Sequence, residues 1–322
     1  MKALITGIAG FAGSHLAEHL LNGTDWEICG LIHRRSENIA HLRERLALFQ
    51  GDVCDLGSIS HILTQTRPDY VFHLAAQSFV PTSWRDPWET FESNIRGQLN
   101  ILQAAVDLAL ESKILVVGSN EEYGLITAEE LPIKETAPLR PNSPYGVSKI
   151  TQDMLGLQYH LGHGLHTVRV RPFNHIGPRQ SERFVAAAFA KQIAEIEMGL
   201  KPSVVKVGSL KAKRDFTDVR DVVRAYHLVL TKGQTGEVYN IGSGVARSVQ
   251  EILDVLSSLS RVEFSVEQDP ARLRPSDIPV SFCDYTKLRE QTGWRPGILF
   301  EESLRDTLDY WREKMKSEAR GI

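Results

Sequence analysis

The sequence predicts an α/β protein: a doubly wound parallel sheet with a smaller α/β domain toward the C-terminus. Three observations predict it. Through the first half, short and mostly apolar runs alternate with stretches of helical spacing, the pattern of buried parallel strands joined by right-handed crossovers. The first of those runs breaks into Gly7, Gly10 and Gly13, a GxxGxxG turn at the point where a helix begins. After Arg171 the alternation loosens, and prolines at 172, 178, 202, 270, 275 and 279 punctuate longer irregular stretches.

Taken in order, Lys2–Thr6, Glu27–Ile32, Tyr70–Ala75 and Lys113–Ser119 read as strands, each followed by polar or glycine-containing sequence. Gly13–Leu21, with Leu16, Leu20 and Leu21 on one stripe, reads as the first helix, and Ser58–Gln65 and Trp88–Leu110 as the next two. A helix over Ser143–Tyr159 and a strand over Thr167–Arg171 continue the series. Further on, Val204–Val207 and Val238–Ile241 look like strands, and Val219–Leu230 and Val249–Leu256 like helices. The expected division gives the first domain 1–171 plus about 215–245, and the second about 172–214 plus 246–322, with soft boundaries. No internal repeat, low-complexity tract or long polar linker is visible.

The 322 residues are 42% hydrophobic and 24% charged, ordinary globular composition. A net charge of -3 gives no general cationic field for nucleic acid. Cys29, Cys54 and Cys283 are far apart and form no CxxC pair, so neither a metal site nor a disulfide framework is expected, and a reducing cytoplasm is the natural setting. The opening MKALITGIAGFAGSH lacks the apolar core and cleavage site of a signal peptide. No run approaches the roughly 18 apolar residues of a membrane span, so a soluble protein is expected.

Glycines at a strand-to-helix turn let the backbone approach a pyrophosphate, which then sits at the positive end of the helix. In its βαβ context the Thr6–Gly13 turn predicts a dinucleotide-binding Rossmann domain; a merely close-packed turn is the alternative. Which dinucleotide depends on the end of the second strand, His33-Arg34-Arg35-Ser36, where no carboxylate occurs until Glu37. An acid there suits a ribose 2′-OH and an arginine suits a 2′-phosphate, which guanidinium clamps with parallel hydrogen bonds. NADP(H) is expected, with Arg34 the first candidate and Arg35 the second. Gly51-Asp52-Val53 follows the third strand, and Asp52 is assigned either to the adenine amino group or to a helix cap.

Tyr145-Gly146-Val147-Ser148-Lys149 places a phenol and an ammonium on one helical face. A free tyrosine has a pKa of about 10, and a neighbouring cation is expected to stabilise the phenolate and lower it. Lys149 is also expected to bind the nicotinamide ribose. Ser119, at the C-terminal end of a strand, lies where open α/β sheets bind ligands, and its hydroxyl is expected to hold the substrate oxygen that exchanges a proton with Tyr145. Within Gly118-Ser119-Asn120-Glu121-Glu122-Tyr123-Gly124, Glu121 faces the same site as a base or as a partner for a sugar hydroxyl.

These residues together resemble the extended short-chain dehydrogenase/reductase family, in its nucleotide-sugar branch. The resemblance runs through the Thr6–Gly13 turn, His73-Leu74-Ala75-Ala76, Asn94 in Asn-x-x-Gly, Ser119 and Tyr145/Lys149. It continues in Arg171-Pro172-Phe173-Asn174-His175-Ile176-Gly177-Pro178, Arg214-Asp215-Phe216-Thr217-Asp218-Val219 and Leu273-Arg274-Pro275-Ser276. Within the branch the chain looks most like bacterial GDP-6-deoxy-4-keto-D-mannose reductases, on the Glu-Glu-Tyr-Gly, Asn-His-Ile-Gly-Pro and Arg-Leu-Arg-Pro-Ser elements.

The resemblance implies cofactor contacts from Phe11, Ala12, Asp52, Val53, Leu74, Ala75, Ala76 and His175, beside the glycines, Arg34, Tyr145 and Lys149. On the substrate side it implies Ser119, Asn120 and Glu121 at the sugar, and Asn174 at the diphosphate or adjoining ribose. Arg214 and Arg274 would neutralise the diphosphate, Asp277 would lie near the nucleoside ribose, and Phe184 and Val185 would wall the nucleobase. Two arginines match a pyrophosphate's charge and geometry better than lysines. The implied reaction is NADPH-dependent reduction of the C4 ketone of GDP-4-keto-6-deoxy-D-mannose to GDP-D-rhamnose, with Tyr145 as proton donor. A homodimer packed through the Trp88–Leu110 and Ser143–Tyr159 helices is implied as well.

The rival is a GDP-mannose 4,6-dehydratase, or a related epimerase, with retained NADP. Glu121 matches the dehydratases' glutamate. However, where those enzymes carry a basic pair after Phe-Val-Thr, this chain has Phe184-Val185-Ala186-Ala187-Ala188, and Ser119-Asn120 replaces a threonine-led pair. A catalytically silent NADP-binding regulator is a third reading, disfavoured because Ser119, Tyr145 and Lys149 are all present.

Overall fold

The computed structural model describes residues 1–33, 36–272 and 278–319. Strands β1 (Lys2–Thr6), β2 (Glu27–Ile32), β3 (Ala47–Gln50), β4 (Tyr70–His73), β5 (Lys113–Val117) and β6 (His166–Pro172) are joined late in the chain by β10 (Val238–Ile241). They form one seven-stranded sheet in the order β10-β6-β5-β4-β1-β2-β3. Every neighbouring pair is parallel. This is the doubly wound Rossmann order, and it reverses between β1 and β4, which opens a crevice beyond the carboxyl ends of those strands.

Alternation along β1 shows how the sheet is covered. Ala3 and Ile5 face one core with Leu16, Phe72, Val168 and Tyr226. Leu4 faces the other with Ile62, Ile101, Ile114 and Tyr159. Helices α1 (Phe11–Gly23) and α8 (Val219–Lys232) cover the first face, and α2 (Leu56–Thr66), α5 (Gly97–Asp107) and α6 (Pro144–His163) the second. Leu288, on α10 (Thr286–Thr292), and Trp294, just past its end, also join the first core.

The helix expected over Trp88–Leu110 forms, running from Pro87 to Asp107 as α4 (Pro87–Phe91), a π-helical turn at Glu92–Arg96, and α5; the short α3 (Val80–Arg85) precedes it. Pro87 opens α4 and the Asp86 side chain caps it by accepting from Glu89 N at 2.9 Å. The π turn swings Asn94 fully inside, where it serves the site described below.

A second core has its own layer. Helices α7 (Val185–Glu197), α9 (Val249–Leu259) and α11 (Phe300–Ala319) meet through Phe189, Ile193, Leu253, Leu304, Leu308 and Trp311. Beside them, β7 (Asn174–Ile176), β11 (Ala246–Ser248) and β13 (Val280–Ser281) pair with β9 (Lys213–Asp218), while β8 (Val204–Val207) pairs with β12 (Ser265–Gln268). Helices α7 and α11 lie outside the sequence-based expectation. The apolar stripe Leu304, Leu308, Trp311 and Met315, all buried, is the helical signal that finds α11. Among the described residues no helix is long and apolar enough to cross a membrane.

Candidate active site

The glycine turn lies where β1 enters α1. Gly7 has φ +68, and a β-carbon there would lie 2.8 Å from Ala75 N. One on Gly13 would lie 2.2 Å from the Gly7 carbonyl oxygen. Only glycine fits either position without moving backbone. Gly10 stands at the N-cap of α1, where no side chain caps the helix and no acid occupies the first turn, formed by Phe11, Ala12 and Gly13. The positive helix end is therefore left to a ligand. Leu74, Ala75 and Ala76 run alongside: Leu74 N donates to the Thr6 carbonyl at 3.2 Å, and Ala75 N to Thr6 Oγ1 at 3.2 Å. Phe11 stacks on His175 with centroids 5.6 Å apart and 11° between planes, so the turn reaches the far side of the crevice. These residues fit a dinucleotide's pyrophosphate.

Just after β3, Asp52 Oδ1 accepts from Cys54 N at 2.9 Å. The cap of α2 belongs to Asp55, which accepts from Gly57 N at 3.0 Å, so the helix-cap alternative for Asp52 is corrected. Val53 offers its carbonyl to Asn100 Nδ2 at 2.8 Å. Arg34, with Arg35, lies outside the described residues, as do Arg274 and Asp277.

Ser119, Tyr145 and Lys149 are brought together. Ser143 caps α6 by accepting from Gly146 N at 3.0 Å, and Pro144 opens its first turn, so Tyr145 enters the crevice from the helix's start. Both Tyr145 and Lys149 are buried, at 7% and 4% exposure. Ser119 lies beside the phenol, its Oγ accepting from Glu121 N at 3.2 Å. Lys149 Nζ donates to the Val117 carbonyl at 2.9 Å and to Gln152 Oε1 at 2.8 Å, and lies 5.8 Å from the Tyr145 ring centre.

The electrostatics differ from the sequence expectation. Burial pushes the Tyr145 phenol well above its ordinary value; the neighbouring Ser119 hydroxyl opposes this, and Glu121 and Glu122 add to it. Burial also pushes the Lys149 amine down to about 8, against the pull of Glu122. Spacing brings phenol and amine to one face, but desolvation is the largest cause at both and penalises each charged form. Tyr145 therefore holds its proton at neutral pH. Beneath it, His73 is pushed down to about 3 by burial and by Lys149, and is neutral.

Asn94 ties this corner together. Its Oδ1 accepts from Gln77 N at 2.8 Å, and its Nδ2 donates to the Gln77 carbonyl at 3.0 Å and to Ser148 Oγ at 2.9 Å. Across the crevice, Asn174 begins β7 and its Oδ1 is buried without a hydrogen-bond partner, an acceptor waiting for a donor. Phe184 stands at the N-cap of α7, edge to face with Phe79 at 5.8 Å, with Val185 opening the helix. Arg214, on β9, donates from Nη1 to the Ile278 carbonyl at 2.5 Å. Asn120 is buried beside Ser119, and the charge of Glu121 is felt at the Tyr145 phenol.

Comparison with known proteins fits this geometry. A family model described as GDP-mannose 4,6 dehydratase matches residues 4–307. The chain belongs to that family. It is 35% identical to the GDP-6-deoxy-D-mannose reductase of Pseudomonas aeruginosa, over 98% of this chain and 99% of the relative. It is 30% identical to a GDP-mannose 4,6-dehydratase of Vibrio cholerae, over 94% and 91%. The solved structure of RMD from Pseudomonas aeruginosa complexed with NADPH matches with a TM-score of 0.87 at 34% identity, covering 97% of this chain and 99% of that one. The UDP-glucose 4-epimerase of Thermotoga maritima with UDP-glucose matches with a TM-score of 0.87 at 30% identity, covering 98% and 100%.

In this member of the GDP-mannose 4,6 dehydratase family, the corner rests on buried charges that sequence reasoning missed. Glu122 Oε1 accepts from Ser119 N at 2.7 Å, closing a capping box, and Oε2 lies 3.0 Å from Arg171 Nε. Arg171 Nε also reaches Asp153 Oδ2 at 2.7 Å, and Asp153 pairs with Arg169 as well. Tyr123 OH bridges Arg171 Nη1 at 3.2 Å and Asn240 Oδ1 at 2.7 Å. Burial, then the neighbouring Asp153, hold the Glu122 carboxyl well above the carboxylate range. The available signal was Asp153, one turn beyond Lys149 on the inward face of α6: a buried acid there needs a cation.

Proposed function

We propose that this chain is an NADPH-dependent reductase of a GDP-linked 4-keto-6-deoxy sugar, converting GDP-4-keto-6-deoxy-D-mannose to GDP-D-rhamnose. The observation that carries the reading is Tyr145: a buried phenol beside Ser119 and Lys149, kept protonated by burial. A reduction needs an acid at that position, which keeps its proton until negative charge develops on the C4 oxygen. NADPH, when bound, supplies the hydride to C4. Ser119 holds the C4 oxygen, Tyr145 gives it the proton, and Lys149, whose amine titrates near 8, steadies the phenolate that remains.

The first turn of α1, with Gly7, Gly10, Gly13, Phe11 and Ala12, holds the pyrophosphate. Arg34 takes the 2′-phosphate, Asp52 and Val53 flank the adenine, and Leu74, Ala75, Ala76 and His175 line the nicotinamide half. Asn120 and Glu121 meet the sugar, and Asn174, Arg214 and Arg274 the diphosphate. Asp277 meets the nucleoside ribose, and Phe184 and Val185 the base. Residues 1–171 plus about 215–245 make up the cofactor domain and the remainder the substrate domain, within the usual softness of such boundaries.

The chain works as a cytoplasmic homodimer. Val147, Met154 and Leu161 recur every seven residues on the exposed face of α6, and Leu99 on α5 and Trp88 on α4 are exposed as well, an apolar surface that suits a self-complementary helix contact. Met154→Glu with Leu161→Glu is expected to yield monomers in sedimentation.

The 4,6-dehydratase reading draws on Glu121, whose charge acts on the Tyr145 phenol. Against it, the positions of that basic pair hold Ala187, fully buried in the second core, and the half-buried Ala188, so no cation stands there. The test is direct. The reductase consumes NADPH in step with the keto sugar and leaves GDP-mannose untouched; conversion of GDP-mannose without added cofactor would establish the dehydratase instead.

A further inference from the structure

A lysine ammonium has three N–H donors and no acceptor, and a buried one is tolerated only when acceptors meet it. Lys149 is in that position, 4% exposed. One N–H goes to the Val117 carbonyl at 2.9 Å and one to Gln152 Oε1 at 2.8 Å. The register between β4 and β5 ends at His73 and Val116, so the Val117 carbonyl stands past the last registered pair, at the strand end that leads to Ser119. Gln152 follows Lys149 by three residues on the same face of α6 and is itself 1% exposed.

Because the amine only donates, the Gln152 amide turns its oxygen toward it. The two ties, one to backbone and one to a buried side chain, fix a flexible stem. The acceptor at 152 is also neutral. A carboxylate there would favour the charged amine strongly, whereas an apolar side chain would leave one N–H unmet. Among the described residues, the other titratable groups acting on the amine come from three elements. Glu122, on the 3₁₀ turn after β5, pulls its value up. His73, at the end of β4, feels its charge and is neutral. The Tyr145 ring centre lies 5.8 Å away on α6 itself. Asp153, next to Gln152, is taken up by Arg169 and Arg171.

We propose that Gln152 is a positioning residue for Lys149: a neutral acceptor that, with the Val117 carbonyl, holds the amine beside Tyr145 and leaves its remaining N–H to the crevice. Burial alone penalises the ammonium. The amide oxygen offsets part of that penalty without fixing the proton as an acid would, and the amine titrates near 8. The inference rests on the reading of Lys149 as the group that steadies the phenolate.

The experiment follows the amine directly, by carbon-13 NMR of protein carrying lysine labelled at Cε, with Lys149→Met to assign the resonance. Wild type, Gln152→Glu and Gln152→Leu are titrated with pH, and thermal melts check that each is folded. The carboxylate is expected to raise the pH at which the amine titrates by about one unit or more, and leucine to lower it by about one unit. Turnover of the keto sugar with NADPH is followed over the same range. The reduction needs the charged amine, so its rate falls as pH rises through that value, and this falling limb is expected to move up in Gln152→Glu and down in Gln152→Leu. A mere packing defect would lower the rate at every pH alike. An amine that titrates as in wild type in both variants, or shifts the same way in both, overturns the proposal. If Gln152→Leu does not fold, Gln152→Glu decides: an upward shift supports the tie and an unmoved amine overturns it. An amine that shifts as expected while the rate limb stays put removes Lys149 from the reduction and leaves its tie to Gln152 in place.

Discussion

The two ends of the crevice are built by opposite means. At the glycine turn, the geometry comes from missing side chains: Gly7 and Gly13 leave 2.8 Å and 2.2 Å between a would-be β-carbon and the neighbouring backbone, and no side chain caps the first turn of α1. At the Tyr145 corner, it comes from side chains packed out of water, where burial is the largest cause of the shifts at Tyr145, Lys149, His73 and Glu122. The first end is governed by shape and the second by charge. A change of size should break one, and a change of hydrogen-bonding or charge the other.

The largest effect is expected from Tyr145→Phe. It keeps the ring's volume and removes only the acid, so turnover of the keto sugar should fall by about a thousandfold or more with NADPH binding and melting temperature unchanged. Retained turnover would refute Tyr145 as the proton donor. Next comes Gly13→Ala, a change of size alone. With the Gly7 carbonyl in the way, the turn must shift, and NADPH Kd is expected to rise about a hundredfold in a fluorescence titration. Ser119→Ala sharpens the contrast, since it removes the hydroxyl beside the phenol that is to hold the substrate oxygen. A loss in kcat of about tenfold is expected, with the NADPH Kd preserved.

The smallest effect is Glu122→Gln, and it appears only with pH. The folded chain holds the Glu122 proton more tightly than the unfolded chain does. Its stabilising contribution is therefore complete below the ordinary glutamate range and is lost as pH rises through the raised folded value. Thermal melts of wild type and Glu122→Gln should nearly coincide at low pH. The variant should gain on wild type as pH increases; a difference that stays flat with pH would sink this account of the corner.

Much of the fold was legible in the residues. The strands at Lys2–Thr6, Glu27–Ile32, Val204–Val207 and Val238–Ile241 appear with the expected bounds, because a short apolar run, buried on both faces in the large sheet and alternating around the exposed Lys206 in the small one, is a local signal. Tyr145, Lys149 and Ser119 meet as the helix period and strand-end rule imply. The helix over Trp88–Leu110 was legible, but the π turn inside it was not. The π turn exists because Asn94 finds Gln77 and Ser148, partners remote in sequence.

What the amino-acid order determined alone is whatever depends on neighbours within a few residues: the strand runs, the glycine turn, and a phenol and an amine on one helical face. Only the tertiary structure decided how those groups ionise and what supports them. It set the direction of the Tyr145 shift, joined Glu122 and Asp153 to Arg171, and carried Arg179 across to Glu18. The physical reason is range. Spacing and backbone preference act along the chain, whereas desolvation and charge depend on everything packed around a group, wherever in the chain it comes from.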